Sequence, residues 1–179
     1  RITDYVMIVP LQGGGESTGN IDSAREYGVT LEGALRLDPM GLRGAKFDVK
    51  GQFRRSSLID PVTFEDRPFD SSKPRNIEID FRHDVAGTDW AWGAGLRNSS
   101  YTPYHRLAEV GLDYAMPTNL RVFIENKNVF GLTVQARWNN LLEGGTVLDR
   151  TVYTGPRGSS PVLFTERRHR ALGQIINFT

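Results

Sequence analysis

The feature that most constrains the fold of this chain is an alternation of apolar and polar residues with a period of two. From position 27 to 37 the odd positions are Tyr, Val, Leu, Gly, Leu and Leu, and the even positions between them are mostly polar or small. The same alternation recurs in five later segments: 45–54, 76–82, 90–97, 120–125 and 132–139. Period two marks a half-buried β-strand, and no window of comparable length has helical spacing. The sequence therefore predicts an all-β chain.

The lengths of the strands and of their connections indicate which kind of β protein this is. Segments 26–37 and 45–57 reach the roughly 9–11 residues that a bilayer-crossing strand needs, whereas soluble strands average about 5–6. Short turns rich in Gly, Pro, Asp or Asn alternate with longer polar connections; the turns lie at 38–44, 84–89 and 127–131, and the connections at 12–23, 59–74, 99–118 and 143–168. This asymmetry is typical of an antiparallel up-and-down transmembrane β-barrel, with short periplasmic turns and long extracellular loops.

The strand directions follow from this interpretation. If the last strand, 170–179, runs toward the periplasm, segment 132–140 runs outward and segment 120–127 runs back. Segment 90–101 then runs outward as well. The strand-like segment 106–114 is therefore predicted to extend above the membrane and not to cross it.

Alternation alone does not separate a membrane barrel from a soluble β-sandwich or closed barrel. The apolar side chains face lipid in the first and a core in the second. Two observations favour the membrane barrel: the polar sets at 46–54 and 78–82 carry charges of both signs, as a hydrated lumen would, and the aromatic residues Tyr27, Trp90, Trp92 and Trp138 suit an interfacial girdle. A soluble binding module, such as a carbohydrate-binding domain, remains the alternative.

Composition excludes several other classes. Lys and Arg number 22 against 21 Asp and Glu, a net charge of +1 that argues against nucleic-acid binding. There is no cysteine, and His83, His105 and His169 lack metal-ligand spacing. No nucleophile elbow or zinc-protease helix occurs, and no pair of carboxylates is marked out for acid–base chemistry. We expect neither an enzyme nor a metal or cofactor site.

Several motifs, in this order and spacing, resemble the C-terminal barrel region of TonB-dependent outer-membrane receptors of the alphaproteobacterial type. Residues 20–32 (NIDSAREYGVTLE) are similar to the family's entry into a barrel strand, and Phe81-Arg-His-Asp84 with Trp90-Ala-Trp-Gly93 resembles a descending strand, a turn and an ascending strand. Residues 122–134 with Trp138-Asn-Asn-Leu141 are similar to the penultimate hairpin. Residues 150–155, 166–168 and 173–178 resemble the last loop and the final strand.

This resemblance implies that residues 1–179 are the C-terminal part of a plugged barrel of about 22 strands, supplying about eight or nine of them. The plug domain and the N-terminal barrel strands would lie upstream. Such a receptor is found in the bacterial cell outer membrane and takes up a scarce nutrient: a ferric siderophore, haem, cobalamin or an oligosaccharide. The TonB–ExbB–ExbD complex supplies the energy through the plug. A passive porin-like barrel is a further alternative, which would lack a plug.

Candidate contact residues lie in the predicted outer loops, because binding residues sit on loops carried by a rigid scaffold. For the small-molecule or oligosaccharide ligand these are Tyr101, Tyr104, Tyr153 and Arg157. A short basic cluster, Arg167, Arg168 and Arg170, leads into the last strand and is predicted to contact lipopolysaccharide in the outer-membrane lipid.

Overall fold

Antiparallel β-strands form most of the chain in the computed structural model, which describes residues 1–179. The strands are β1 (Tyr5–Pro10), β2 (Glu16–Ile21), β3 (Ala24–Arg36), β4 (Ala45–Ile59), β5 (Asp66–Arg67), β6 (Arg75–Asp84), β7 (Trp90–Ser100), β8 (Tyr104–His105), β9 (Glu109–Ala115), β10 (Thr118–Val129), β11 (Leu132–Asn139), β12 (Gly145–Tyr153), β13 (Val162–Ala171) and β14 (Ile175–Phe178). One turn of 3-10 helix covers Asp38–Met40, and there is no α-helix. The all-β prediction is confirmed.

The largest sheet is an antiparallel meander whose strands lie side by side in the order in which they occur along the chain, although strands of the small sheet intervene in sequence between some of them. Its order is β14-β11-β10-β7-β6-β4-β3, with the short strand β5 added beside β4. Two smaller sheets have the orders β13-β12-β9-β8 and β1-β2. None of the three sheets closes on itself, so the structure gives an antiparallel sheet and not a complete barrel.

The strands of the meander are paired in phase, so that their apolar positions share one face. Val29 lies opposite Phe53, Ile79 lies opposite both Val49 and Leu96, and Ile124 lies opposite Trp92. Because successive side chains point to opposite faces, a slip of one residue would turn a whole apolar set over. The period-two pattern of the sequence thus sets the register of the sheet.

The connections alternate in length as the sequence predicts. At one end of the meander they are short: 37–44, 85–89 and the two-residue turn Phe130-Gly131. Phe130 and Gly131 have φ values of 53° and 82°, the left-handed conformation that a tight hairpin turn requires at both positions. At the other end, here called the long-connection end, they cover 60–74, 101–117 and 140–174.

All four of the predicted long loops contain strands. Segment 12–23 contains β2, segment 59–74 contains β5, segment 99–118 contains β8 and β9, and segment 143–168 contains β12 and most of β13. Several of these strands have polar residues on both faces, as in Glu16–Ile21 (ESTGNI), which hides the period-two signal. The strand predicted at 106–114 is confirmed as β9, which pairs outside the meander.

The small sheet, with the order β13-β12-β9-β8, corresponds strand for strand to the half of the meander with the order β14-β11-β10-β7. The chain passes from β7 to β8, from β9 to β10, from β11 to β12 and from β13 to β14, each time after a few irregular residues. Four long strands are therefore interrupted, and their distal parts form the second sheet at the long-connection end. The predicted last strand 170–179 is one of them, interrupted at 172–174.

Asn140 holds two of these interruptions together. It is 1% exposed and has a φ of 56°. Its amide nitrogen donates to the carbonyls of Gly144 at 2.9 Å and Gly173 at 2.6 Å, and its amide oxygen accepts from the Gly144 N–H at 2.8 Å. One side chain thus joins the break between β11 and β12 to the break between β13 and β14.

The apolar core is small and lies beside the meander, under the β1-β2 hairpin. It consists of Met7, Ala24, Leu58 and Phe69, and the Tyr5 ring stacks on Phe69 with 4.4 Å between centroids. Only 18 of the 179 residues are buried, which leaves most apolar side chains of the meander outside any core of their own chain.

We expect Asn140→Ala to lower the free energy of unfolding by about 1–3 kcal/mol, because three buried hydrogen bonds lose their side-chain partner. Urea unfolding followed by tryptophan fluorescence measures the change. Asn139→Ala is the matched control, since no side-chain hydrogen bond of Asn139 is present, and it should change stability by less than about 0.5 kcal/mol. Equal losses in the two variants would contradict a joining role for Asn140.

Candidate functional site

One face of the meander is apolar and uncovered. Leu31 is 60% exposed and Ile124 51%, although each lies near the middle of a long strand, and Trp92 near the start of β7 is 47% exposed. All extensive contacts between strands are between hydrogen-bonded neighbours, so no second layer of this chain packs on the face. Contiguous apolar surfaces of this kind mark a membrane or a partner.

Large aromatic residues border this apolar face at both ends. Tyr27 of β3 and Trp138 of β11 lie toward the long-connection end, whereas Trp90 and Trp92 begin β7 at the opposite end. All four side chains are more than 40% exposed: Tyr27 64%, Trp90 48%, Trp92 47% and Trp138 42%. Aromatic rings concentrate at the two interfaces of a bilayer, where an apolar body and a polar edge are both accommodated.

The opposite face of the same strands is covered by alternating charges. Ion pairs join neighbouring strands, as in Lys50–Glu32 at 2.5 Å and Arg97–Glu78 at 3.2 Å, and Arg82–Glu125 at 2.6 Å reaches across β7 from β6 to β10. Asp80 pairs with Arg121, and Asp84 accepts from both Arg82 and Lys127. The mixed charge predicted for this face is confirmed, and it makes the face one that water or a polar partner can cover.

Small residues shape the polar face. A Cβ atom at Gly93 would lie 2.2 Å from the Phe81 carbonyl oxygen and 2.6 Å from the Phe123 ring, so Phe123 can lie flat over β7 only because residue 93 has no side chain. An open depression of about 480 Å³ lies nearby, lined mainly by Glu32, Asp48, Lys50, Glu78 and Asp80.

A buried charged cluster ties the long connections together, centred on Asp60. The Asp60 carboxylate is 0% exposed and accepts from Arg67 Nε at 2.5 Å and from Arg157 Nη2 at 2.9 Å. The backbone N–H groups of Val62 and Thr63 donate to it at 2.7 and 3.0 Å. We call Asp60, Arg67, Asp70, His105 and Arg157 the Asp60 cluster.

The hydrogen bonds of the cluster keep Asp60 ionised. Burial by itself would raise the pKa of the carboxyl group, but the donors Arg157, Val62 and Thr63 outweigh burial and hold the pKa well below its usual range. The remaining members extend the network: Arg67 also donates to Asp70 at 2.8 Å, and His105 Nδ1 lies 2.7 Å from the same carboxylate.

Arg157, a predicted ligand contact, belongs to this cluster. Its side chain is 8% exposed, and its Nε donates to the Arg106 carbonyl at 2.6 Å while Nη2 binds Asp60. The guanidinium is therefore already engaged by protein groups that lie in two other connections. That Arg157 also contacts a ligand stays a prediction.

The predicted tyrosines all lie at the long-connection end of the molecule. The Tyr104 hydroxyl donates to Glu109, and burial followed by this contact raises the pKa of Tyr104 to about 12. Tyr101 stacks on Tyr114 with 5.4 Å between ring centroids, and the Lys73 ammonium lies 5.4 Å from the centroid of the Tyr101 ring. Tyr153 is half-buried, and its N–H donates to the Ala108 carbonyl at 2.8 Å. That these three tyrosines contact a ligand stays a prediction.

The predicted lipopolysaccharide contacts lie on β13. Arg167 pairs with Asp149 at 2.7 Å and Arg168 with Glu166 at 2.5 Å, whereas Arg170 has no carboxylate within 4.0 Å. All three side chains are exposed. Two of the three charges thus have a carboxylate partner on the same small sheet.

Of the five residues in the Asp60 cluster, only Arg157 was predicted from the sequence as a site residue. Asp60 and Arg157 are 97 positions apart, and no spacing motif connects them. Asp60 lies within the polar connection predicted at 59–74, for which the sequence indicated only a loop. The structure contains no group of three or more metal-binding side chains and no helix long and apolar enough to cross a bilayer.

Comparison of the chain with protein families, with curated proteins and with solved structures found no match.

We expect Asp60→Asn to lower the free energy of unfolding by about 3–5 kcal/mol near pH 7, because two buried guanidinium groups lose their counter-ion. Since the folded pKa of Asp60 is depressed, its contribution is complete above the unfolded value of about 3.9 and is lost as pH falls further. The wild type should therefore lose stability below about pH 4, and the variant should lose less.

Asp66→Asn is the matched control, because Asp66 lies in the same connection but is exposed and accepts only from the Ser57 hydroxyl. Its cost should stay below about 1 kcal/mol. Denaturant unfolding at pH 3, 5 and 7 compares the three proteins. A small, pH-independent effect of Asp60→Asn would refute the cluster as a stabilising centre.

Proposed function

We propose that this chain forms part of the wall of an outer-membrane β-barrel receptor of the TonB-dependent type, which imports a scarce nutrient. The observation that carries the proposal is the seven-stranded meander with one uncovered apolar face and one charged face. Its connections are short at one end and long at the other. The motif resemblance adds the receptor family.

The apolar face fits lipid better than it fits a soluble core. A β-sandwich buries its apolar side chains against a second sheet about 10 Å away. Here the side chains of Val29, Leu31 and Ile124 are more than half exposed, and no other sheet of the chain lies on them. A bilayer supplies the missing apolar cover for all strands at once, and the bordering aromatic rings then lie at its interfaces.

The charged face fits a hydrated lumen that a plug can contact. Its ion pairs are short but partly exposed, so each stabilises weakly in water and can exchange partners. The open depression beside Lys50 offers mainly carboxylates to whatever lies against it. In the proposed receptor that partner is the plug domain.

The long-connection end then faces the cell exterior. Its connections carry the Asp60 cluster and the predicted ligand contacts Tyr101, Tyr104, Tyr153 and Arg157, and they form the small sheet that stands above the membrane. Ligand is captured there. The TonB–ExbB–ExbD complex then displaces the plug by using the proton motive force. In this proposal the strand edges of β3 and β14 pair with other strands of the wall.

A matched pair of substitutions on β3 tests which face meets lipid. Leu31 lies on the apolar face and Thr30 beside it on the charged face, both near the middle of the strand. We expect Leu31→Arg to cost about 2–4 kcal/mol in a membrane barrel and Thr30→Arg to be nearly neutral. The measurement is the fraction of the parent protein that reaches the outer membrane and shifts in gel mobility on boiling.

The soluble alternative gives a different result. Recovery of the wild-type parent protein in the soluble fraction, with no heat-dependent shift, would make the binding module the working function. Recovery in the outer membrane with equal behaviour of the two arginine variants would reject the assignment of the lipid face.

Energy dependence separates a TonB-dependent receptor from a passive porin. Cells that carry the parent protein are supplied with labelled ferric siderophore, haem, cobalamin or oligosaccharide under iron or carbon starvation. We expect accumulation of one of them to stop when a protonophore collapses the proton motive force. Cells that lack the receptor provide the background. Uptake that is unaffected by the protonophore would favour the porin.

A further inference from the structure

Three arginines lie side by side where the apolar face ends, at the long-connection end of the meander. Arg25 precedes Tyr27 on β3, Arg55 follows Phe53 on β4, and Arg75 begins β6. Pairing places Arg25 opposite Ser57, Tyr27 opposite Arg55 and Phe53 opposite Arg75. These positions all belong to the apolar face of the sheet, so the three arginines form a diagonal row on that face.

The row is close enough to act on one ligand. Arg25 and Arg55 are diagonal neighbours on adjacent strands, as are Arg55 and Arg75, and such neighbours are about 7–8 Å apart. All three side chains are exposed. Like charges at this spacing repel, so an anion bound between them would relieve a cost that the sheet otherwise bears.

No carboxylate neutralises this row. None of the three guanidinium groups has an acidic oxygen within 4.0 Å, whereas Lys50, Arg97 and Arg121 on the charged face each have one. Arg75 makes one neutral contact, from Nη2 to the Asn98 amide oxygen at 2.8 Å. The nearby Asp66 accepts from the Ser57 hydroxyl at 2.5 Å instead.

A cavity adjoins the row. It is open to solvent and has a volume of about 630 Å³, within the range of small-ligand pockets; its lining includes Arg25, Tyr27 and Arg55 as well as Asp66, whereas Arg75 lies outside it. Just below lie the apolar side chains of Val29 and Phe53, both more than 40% exposed. A ligand that fits here has a charged, phosphorylated head and an apolar body that continues down the sheet.

We propose that Arg25, Arg55 and Arg75 bind the phosphate groups of an anionic lipid in the outer leaflet, a proposal that rests on the proposed function. Guanidinium groups hold phosphate oxygens through paired, charge-assisted hydrogen bonds. Lipid is favoured over free phosphate because the row lies at the border of the apolar face. As a phosphate site, the arginine row is also favoured over the β13 cluster, because Arg167 and Arg168 there already have carboxylate partners.

The test uses the full parent protein purified from outer membranes in detergent. The variant is Arg25→Gln with Arg55→Gln and Arg75→Gln. The control removes the same charge from three other arginines without a carboxylate partner: Arg36→Gln, Arg43→Gln and Arg137→Gln. The probes are lipopolysaccharide, the same lipid after enzymatic removal of its phosphates, and inorganic phosphate.

We expect the row variant to bind lipopolysaccharide at least about tenfold more weakly than the wild type, since tenfold corresponds to loss of about one charged hydrogen bond. The control should stay within about twofold of the wild type. Dephosphorylated lipid should bind wild type and row variant alike, and inorganic phosphate should not displace the lipid. If the triple variant fails to assemble, the three single variants replace it, each with a smaller loss.

The outcomes separate this proposal from the proposed function. Lipopolysaccharide binding that the row variant retains, in a protein that is heat-modifiable and in the outer membrane, overturns the lipid site alone. Displacement by inorganic phosphate at equal phosphate concentration shows a free-anion site and also overturns it. A wild-type protein found in the soluble fraction overturns both.

Discussion

The in-phase hydrogen-bond register of the meander is the constraint on which the rest of the structure depends. Because side chains alternate along each strand, a single register places Leu31, Val49, Ile79 and Ile124 on one face and the ion pairs on the other. Slipping one strand by one residue would place charges such as Lys50 and Glu32 among apolar side chains, with a large desolvation cost. Every functional proposal made for this chain begins from those two faces.

At the long-connection end, polar contacts provide the stabilisation that apolar packing provides in most domains. Asn140 joins two interrupted strands, and the Asp60 cluster joins three connections that are far apart in sequence. The apolar core is limited to the few residues under the β1-β2 hairpin. A scaffold of this kind relies on hydrogen bonds that are specific in geometry, which suits loops that have to present side chains in a fixed arrangement.

The meander could be predicted from the sequence, but the small sheet and the side-chain clusters at the long-connection end could not. Strands β3, β4, β6, β7, β10 and β11 alternate clearly, and their turns contain Gly, Pro, Asp or Asn, so both periodicity and turn chemistry were readable. Strands β2, β12 and β13 carry polar residues on both faces, so they lack a regular alternation. The Asp60 cluster could not be predicted, because the burial of its carboxylate depends on partners that only the fold brings together. The arginine row was equally hidden, since Arg25, Arg55 and Arg75 become neighbours only through the register.

Strand order that follows chain order also has a kinetic consequence. Each strand of the meander pairs with the meander strand that precedes it along the chain, so adding a strand closes only the connection between those two, and the entropy cost does not grow with the number of strands already formed. The contact between Asp60 and Arg157 is different, because it closes a loop of 97 residues. Formation of that ion pair therefore has to wait until the hairpins between them exist. The ion pair would therefore mark the stage at which the long-connection end has finished folding.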